Sequence, residues 1–583
     1  MDRRKFLVGA GAAVASSAIA FGTKNAQATT PSGYSGNGGT DLSNPQPLST
    51  QSNDLTKYSG AWTDTTLRHL LRRAMMGVPL AQFQAAQALG SMSSVVDKLL
   101  SVNSLPALPA PYMDQLYIAP AGATELEKMA AGNLERTRSQ EVANWWMDQI
   151  IKENLSIREH MTLLWSNHFV VGSDVVPFGA YLYTYNQTLR ANALGNLKTF
   201  TRAISVDPGM LLYLNGNQNY DGVKPGGGGR KGTNINENYA RELQELFTLG
   251  LTDPATGKPN YSETDVQQAA KALTGWSPTI ASPFVGTFYP TGHNNDQKTF
   301  LGQTGNWGLD DIINIIFSYK GPDGTTAPGF NTAYWFCQKI YMEFVYYVPN
   351  PSVVTAMANL MVQSNFEIVP VLKALLESDH FYDPNVVNAQ LKSPINFVAS
   401  IIREFGLTYT PFDPKDLPAG TPDKNGATTY VDTNPTMTYL YLSVAGNSFG
   451  QTLLQPPNVK GWPGGHNWIS TGTFQSRENT VALLLKNPPY FNGTNNPVGV
   501  TLEFLPPMGW ANALPNSGTM KSDVFSAALT SMVLNRTLGP LESDGLHSVF
   551  FPGNLPEYDF ALTDKNVAAF AIAMAQLPEF QLV

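Results

Sequence analysis

The sequence predicts an all-α fold: a large multi-helical body with short strand segments and long loops. Three observations carry that prediction. From Trp62 onward, apolar residues recur mainly at helical spacing. Glycine and proline cluster between the periodic stretches. Finally, the chain is 43% hydrophobic and 11% aromatic with only 14% charged residues, far from the composition of a disordered chain.

The elements follow in order. A first helix is expected near 64–75; its Arg68, His69, Arg72 and Arg73 read more simply as docking and solvation than as an anion contact. Helices near 79–88 and 91–100 come next, then a long one over 122–153 with Trp145 and Trp146 at core spacing. The helix at 156–168 puts His160 and His168 two turns apart on roughly one face. Periodicity continues at 177–192, 195–205, 236–249, 262–274 and 309–318. It resumes at 331–346, 351–363, 368–378, 391–405 and 434–446, and again at 521–537 and 563–576. A short strand is expected near 284–289. Cys337, the single cysteine, lies in the apolar run AYWFCQKIYMEFVYY and reads as packing; alone, it forms no internal disulfide.

Loops occupy 225–232 (PGGGGRKG), 411–426 and 487–519. The glycine tract is read as a flexible insertion before a helix, because no strand pattern precedes it and no Lys-Ser/Thr follows as a phosphate loop requires. The organisation is then a signal at 1–28, a flexible leader at 29–60, a helical main domain at 61–486, and a Pro/Asn/Gly-rich segment with a C-terminal helical extension at 487–583.

Residues 1–28 open on Arg3-Arg4, run through a mild Gly/Ala-rich apolar stretch from Phe6 to Gly22, and close on Ala26-Gln27-Ala28. This is the pattern of a twin-arginine export signal, and the stretch is too short and glycine-rich for a comfortable membrane span. Loss of Arg3, Arg4, Lys5 and Lys24 with Asp2 would take the net charge from −8 to −11. An acidic chain is a poor partner for nucleic acid or an anionic lipid surface, so neither nucleic-acid binding nor stable membrane insertion is expected. The expected location is periplasmic or extracellular.

Several blocks carry a family resemblance. They are RHLLRRA (68–74), LLWSNHF (163–169), DPGMLLYLN (207–215), NENYARELQELFTLG (236–250), a Y-S-E-T-D-V…A-L-T-G-W stretch (261–276), a His…Asp…Lys run (293–298), LKSPINFV (391–398) and QPPNVKGWPGGHNW (455–468), with Arg477 shortly after. Together, over about 62–480, they resemble the bacterial family named domain of unknown function 1800. The resemblance implies an exported protein with no established general activity. It also implies a co-exported partner from the family named domain of unknown function 1501.

The helix at 236–249 is the most informative segment. Asn236 suits an N-cap and Gly250 a C′ position. Asn238, Arg241, Glu242 and Glu245 share one face, opposite Ala240, Leu243 and Phe247. Two readings stand. One is a solvated face with Arg241–Glu245 and Asn238–Glu242 pairs. The other, which the resemblance favours, is a buried polar stripe meeting the His168 and His293 segments.

In the second reading His168, Glu242, His293 and Asp296 are candidate metal ligands. Glu242, Glu245, Arg241 and Lys298 are candidate catalytic groups, the last two as charge partners. A mixed His/carboxylate set suits a divalent metal that activates water. Two positions depart from the family pattern: Asn294 follows His293, and Asn215 stands where relatives carry Asp. No HExxH or GxSxG motif occurs, and Glu242 and Glu245 are too close on one helix to flank a sugar from opposite sides. In the 455–468 loop, Trp462 and Trp468 can stack on a sugar, though such indoles more often plug a core.

Two functions remain open: a metal-assisted enzyme acting on envelope or extracellular material, and a non-catalytic binding or assembly factor exported folded with a partner. Convergence of His168, Glu242 and His293 on one point favours the first; scatter favours the second.

Overall fold

The computed structural model describes residues 46–101, 105–106, 113, 115–225, 227–406, 449–485, 519–521, 530, 534, 559–561 and 564–583. Capping residues set many of the helix starts. Thr63 opens α1 (Asp64–Ala74) by accepting from Thr66 N and donating its own N–H to Thr66 Oγ1, and α2 (Leu80–Gln87) and α3 (Met92–Leu99) follow. A Thr124–Glu127 capping box opens the long α4 (Glu125–Lys152). Both α4 and α5 (Arg158–His168) pack on α6 (Gly179–Asn192).

Asn196 caps α7 (Leu197–Ser205), and Asp207 caps the short α8 (Pro208–Tyr213). Next are α9 (Asn238–Glu242), α10 (Glu263–Ala272), α11 (Leu309–Ile316) and α12 (Phe330–Phe344). Then come α13 (Pro351–Gln363), α14 (Ile368–Leu376), α15 (Pro394–Glu404), α16 (Thr471–Leu485) and α17 (Asp564–Ala575).

The described strands form four antiparallel pairs: β1 (Tyr220–Val223) with β2 (Lys231–Asn234), β3 (Trp276–Pro278) with β4 (Gly286–Phe288), β5 (Lys298–Phe300) with β6 (Gln303–Gly305), and β7 (Thr519–Lys521) with β8 (Asp559–Ala561). The body is therefore mostly α-helical, with short strands.

The centre of the core is Trp165 on α5, fully buried, whose ring meets Phe169, Phe200 and Phe336 and whose Nε1 donates to Ala193 O at 3.0 Å. Beside it, Arg190 on α6 grips Glu159 on α5 through two bonds of 2.7 and 2.8 Å, and Trp146 Nε1 on α4 donates to the same carboxylate at 3.2 Å. Burial of this ion pair is tolerable because both charges are neutralised and hydrogen-bonded.

Several elements differ from the sequence expectation. The second half of the leader, residues 46–60, is tied to the body through polar groups. Gln51 N donates to Asp383 at 2.8 Å, Asn350 Nδ2 to Asn53 at 2.6 Å, and Tyr58 N to Glu377 O at 2.7 Å. Leu48, Leu55 and Tyr58 also pack against the core, so a few anchors and backbone and amide bonds, too sparse to show in composition, order the segment. Residues 224–225 and 227–230 belong to the turn of the β1–β2 hairpin: a strand does precede the tract, hidden because Tyr220-Asp221-Gly222-Val223 has no apolar alternation.

The helix read at 236–249 is α only over Asn238–Glu242 and continues as a π-helix over Leu243–Thr248. Helices α8 and α16 were not anticipated. Of the expected 434–446 helix nothing lies within the described residues, and of 521–537 only residues 521, 530 and 534 do. The 411–426 loop also lies outside them, as does 487–518.

Residues 564–583 belong to the body. Helix α17 packs on α16, and Phe580, fully buried, meets the rings of Phe397 and Phe405.

Candidate functional site

Among the described residues, those that the sequence suggested as one centre do not gather into a group of three possible ligands. His168 ends α5 inside an aromatic cage of Trp165, Phe169, Phe247 and Phe336. Its Nε2 lies 2.9 Å from Phe247 O, so Nε2 carries the proton and donates. Burial pushes its pKa down to about 3, aided by the nearby Lys339 ammonium. His293 sits elsewhere, with Nδ1 at 3.1 Å from Thr274 O and its ring against Phe288.

Glu242, at the end of α9, and Glu245, on the π-helical segment, are half-buried, and burial together with Glu245 raises the Glu242 pKa. Arg241 binds Glu263 at 2.5 and 2.9 Å and Glu237 at 3.1 Å. Lys298 is fully buried and donates to Asn294 O, Asp296 O and Asn306 Oδ1, so its ammonium ties a loop together. Asn294 stands between two carboxylates, its Nδ2 donating to Asp221 at 2.7 Å and Asp296 at 3.1 Å. An aspartate there would add a third negative charge in place of a shared donor.

Among the described residues, no three His, Cys, Asp or Glu side chains are grouped as a metal site requires. His168, Glu242, His293 and Asp296 therefore do not form one ligand set in this arrangement.

A different set does converge. Between α1, α5, α12, the 390–396 segment and the 451–468 loop lies a cavity of about 210 Å³. Helix α5 contributes His160, Asn167 and His168, and α12 contributes Lys339 and Glu343. Trp462, Trp468 and Tyr347 form aromatic walls, while Ser393, Asn396 and Gln451 add polar side chains. Arg73 lines it from α1, and the exposed Lys460 from the loop.

The wall is held by specific contacts. Asn167 clamps the loop to α5: its Oδ1 accepts from Trp462 N at 2.7 Å and its Nδ2 donates to Trp462 O at 3.2 Å. His160 Nε2 bonds Glu343 at 2.8 Å, and the ring of Tyr347 packs on His466 with centroids 4.3 Å apart. Ser393 caps α15 by accepting from Asn396 N.

The family model described as "Protein of unknown function (DUF1800)" matches residues 69–582. The chain belongs to that family. No curated protein and no solved structure matches it. The match runs past the 62–480 span of the recognisable blocks, as expected if residues 564–583 complete the body.

Four of the family-like blocks meet at the cavity although they are far apart in sequence. Block 68–74 supplies Arg73, 163–169 supplies Asn167 and His168, 391–398 supplies Ser393 and Asn396, and 455–468 supplies Lys460, Trp462 and Trp468. Block 236–250 supports it from behind. The π-helical end leaves carbonyls without helical partners, and His168 takes that of Phe247 while Trp335 Nε1 takes that of Leu246 at 2.7 Å.

Sequence reasoning missed Lys339, Asn396 and Gln451. Lys339 and Glu343 were a legible signal: two charges one turn apart inside an otherwise apolar run.

Proposed function

We propose that this chain is an exported binding protein and that the cavity receives one sugar ring, the end group of an envelope or extracellular saccharide. The observation that carries the reading is the convergence of four separated blocks on a single cavity with aromatic walls and a polar lining. Trp462, Trp468 and Tyr347 bring aromatic side chains to the lining, amides and a hydroxyl offer partners for sugar hydroxyls, and the volume suits a single ring rather than a drug-sized ligand. The separation of His168 from His293 argues for the binding factor over the metal-assisted enzyme. Export by the twin-arginine route, and company with a co-exported protein of the domain of unknown function 1501 family, rest on the Arg3-Arg4 signal and the family resemblance.

Isothermal titration calorimetry with neutral and acidic monosaccharides tests the reading. At least one sugar is expected to bind the wild-type protein and to lose measurable binding in Met342→Trp, which fills the cavity from α12. Failure of every sugar to bind would discard the saccharide reading.

A further inference from the structure

Resting on the reading of this cavity as a ligand site, we infer that it holds a carboxylate subsite, so that the sugar it prefers is an acid. Lys339 is the first observation. Its side chain lines the cavity and its ammonium lies over the Trp335 indole, 4.7 Å from the ring centroid. Among the described residues, no carboxylate comes within ion-pair distance of that ammonium and no side-chain or backbone oxygen accepts from it. The natural partner one turn on, Glu343, is bound at 2.8 Å to His160 Nε2 instead. A half-buried cation lining the cavity without a counter-charge favours a ligand that brings one. Burial accordingly lowers the pKa of Lys339 in the structure as it stands.

The second observation is a set of spare donors beside it. Gln451 Oε1 accepts from Ile395 N at 3.1 Å, which fixes the amide's orientation and leaves Nε2 to donate. Asn396 Oδ1 accepts from Ser400 Oγ at 3.0 Å, leaving its Nδ2 likewise. Both residues line the cavity, and Asn396 stands in the first turn of α15, whose backbone N–H groups are already taken by Gln451 and Ser393, so its side-chain amide is the donor left for an anion. An ammonium with two amide donors matches a single carboxylate. A phosphate dianion would bring a second negative charge toward Glu343.

The test compares D-glucuronate with its neutral isostere D-glucuronamide, and uses benzoate as a carboxylate without hydroxyls. Wild-type protein is expected to bind glucuronate at least about ten-fold tighter than glucuronamide. In Lys339→Met that preference is expected to vanish while glucuronamide binding persists. Lys339→Arg, which keeps the charge, should retain a preference, and thermal melting of each variant verifies that it is folded. Equal affinity for the two sugars in the wild type, or a preference that survives in Lys339→Met, overturns the carboxylate subsite and leaves the sugar cavity standing. Lys339-dependent binding of benzoate with no sugar bound would overturn the sugar reading and support the subsite. Binding of no probe overturns both.

Discussion

At the residue scale, the buried polar groups show how this low-charge chain uses its few ionisable side chains. His69 on α1 is 1% exposed, stacked on Phe381, with Nε2 2.9 Å from Phe381 O. Burial, reinforced by the charge of Arg73, pushes its pKa from 6.5 down to about 3. The unfolded chain therefore takes up a proton below about pH 6.5 that the folded chain refuses until about pH 3. His69 thus stabilises the fold above pH 6.5, and that contribution is lost as pH falls through this window, with a limiting slope of about 1.4 kcal/mol per pH unit. His69→Gln keeps a donor for Phe381 O and removes the titration. It is expected to cost about 1 kcal/mol at pH 8, with the gap to wild type closing or reversing by about pH 5. Urea unfolding at both pH values checks this; a constant gap would show that His69 is not the titrating group.

At the element scale, the loop 455–468 and the π-helical end of α9 position the cavity wall. Gly461 is held at φ +75°, and a Cβ there would fall 2.2 Å from Asn167 Oδ1 and 2.7 Å from its backbone oxygen. Gly461→Ala is therefore expected to lift Trp462 off Asn167 and destabilise the protein by roughly 1–3 kcal/mol. It should also weaken sugar binding more than an Ala substitution at Gly472, on α16, where a Cβ meets nothing within 4 Å. Calorimetric titration alongside thermal melting separates the two losses. Helices of this kind were legible in sequence because period and caps agree: α13 falls at Pro351–Gln363, where the spacing put it, and α10 begins at Glu263 after a Ser262–Asp265 capping box. The β1–β2 hairpin and the π-helical turn were not, since neither writes a periodic apolar pattern. The cavity was half legible. Its blocks stood out one by one, but reading each for His and carboxylates pointed to Glu242 and His293, whereas the wall uses an amide pair and a lysine set in a helix that reads as core.

At the scale of the whole molecule, segments remote in sequence close the body, so folding must be nearly complete before the cavity exists. Residues 578–583 run beside 390–392: Lys392 N donates to Gln581 O at 2.8 Å, and Val583 N to Gln390 O at 2.9 Å. The fully buried Arg477 joins them, donating to Gln581 Oε1 and Lys392 O at 3.1 Å each, and the Lys392 ammonium lies 3.9 Å from the Phe580 ring centroid. Removing the Phe580 ring opens a cavity under this whole seam, so Phe580→Ala is expected to cost about 3–5 kcal/mol, a large share of a typical 5–15. The twin-arginine route proposed for this chain carries folded proteins, so under that proposal the seam bears on export. In cell fractions probed by immunoblot, Arg3→Lys with Arg4→Lys should leave the precursor in the cytoplasm although its fold is untouched. Phe580→Ala should lower the exported fraction with the signal intact, in step with its loss of thermal stability. Processed protein reaching the periplasm from the double lysine variant would dismiss the twin-arginine route. A destabilised Phe580→Ala exported as fully as wild type would instead show that this seam closes after the membrane is crossed.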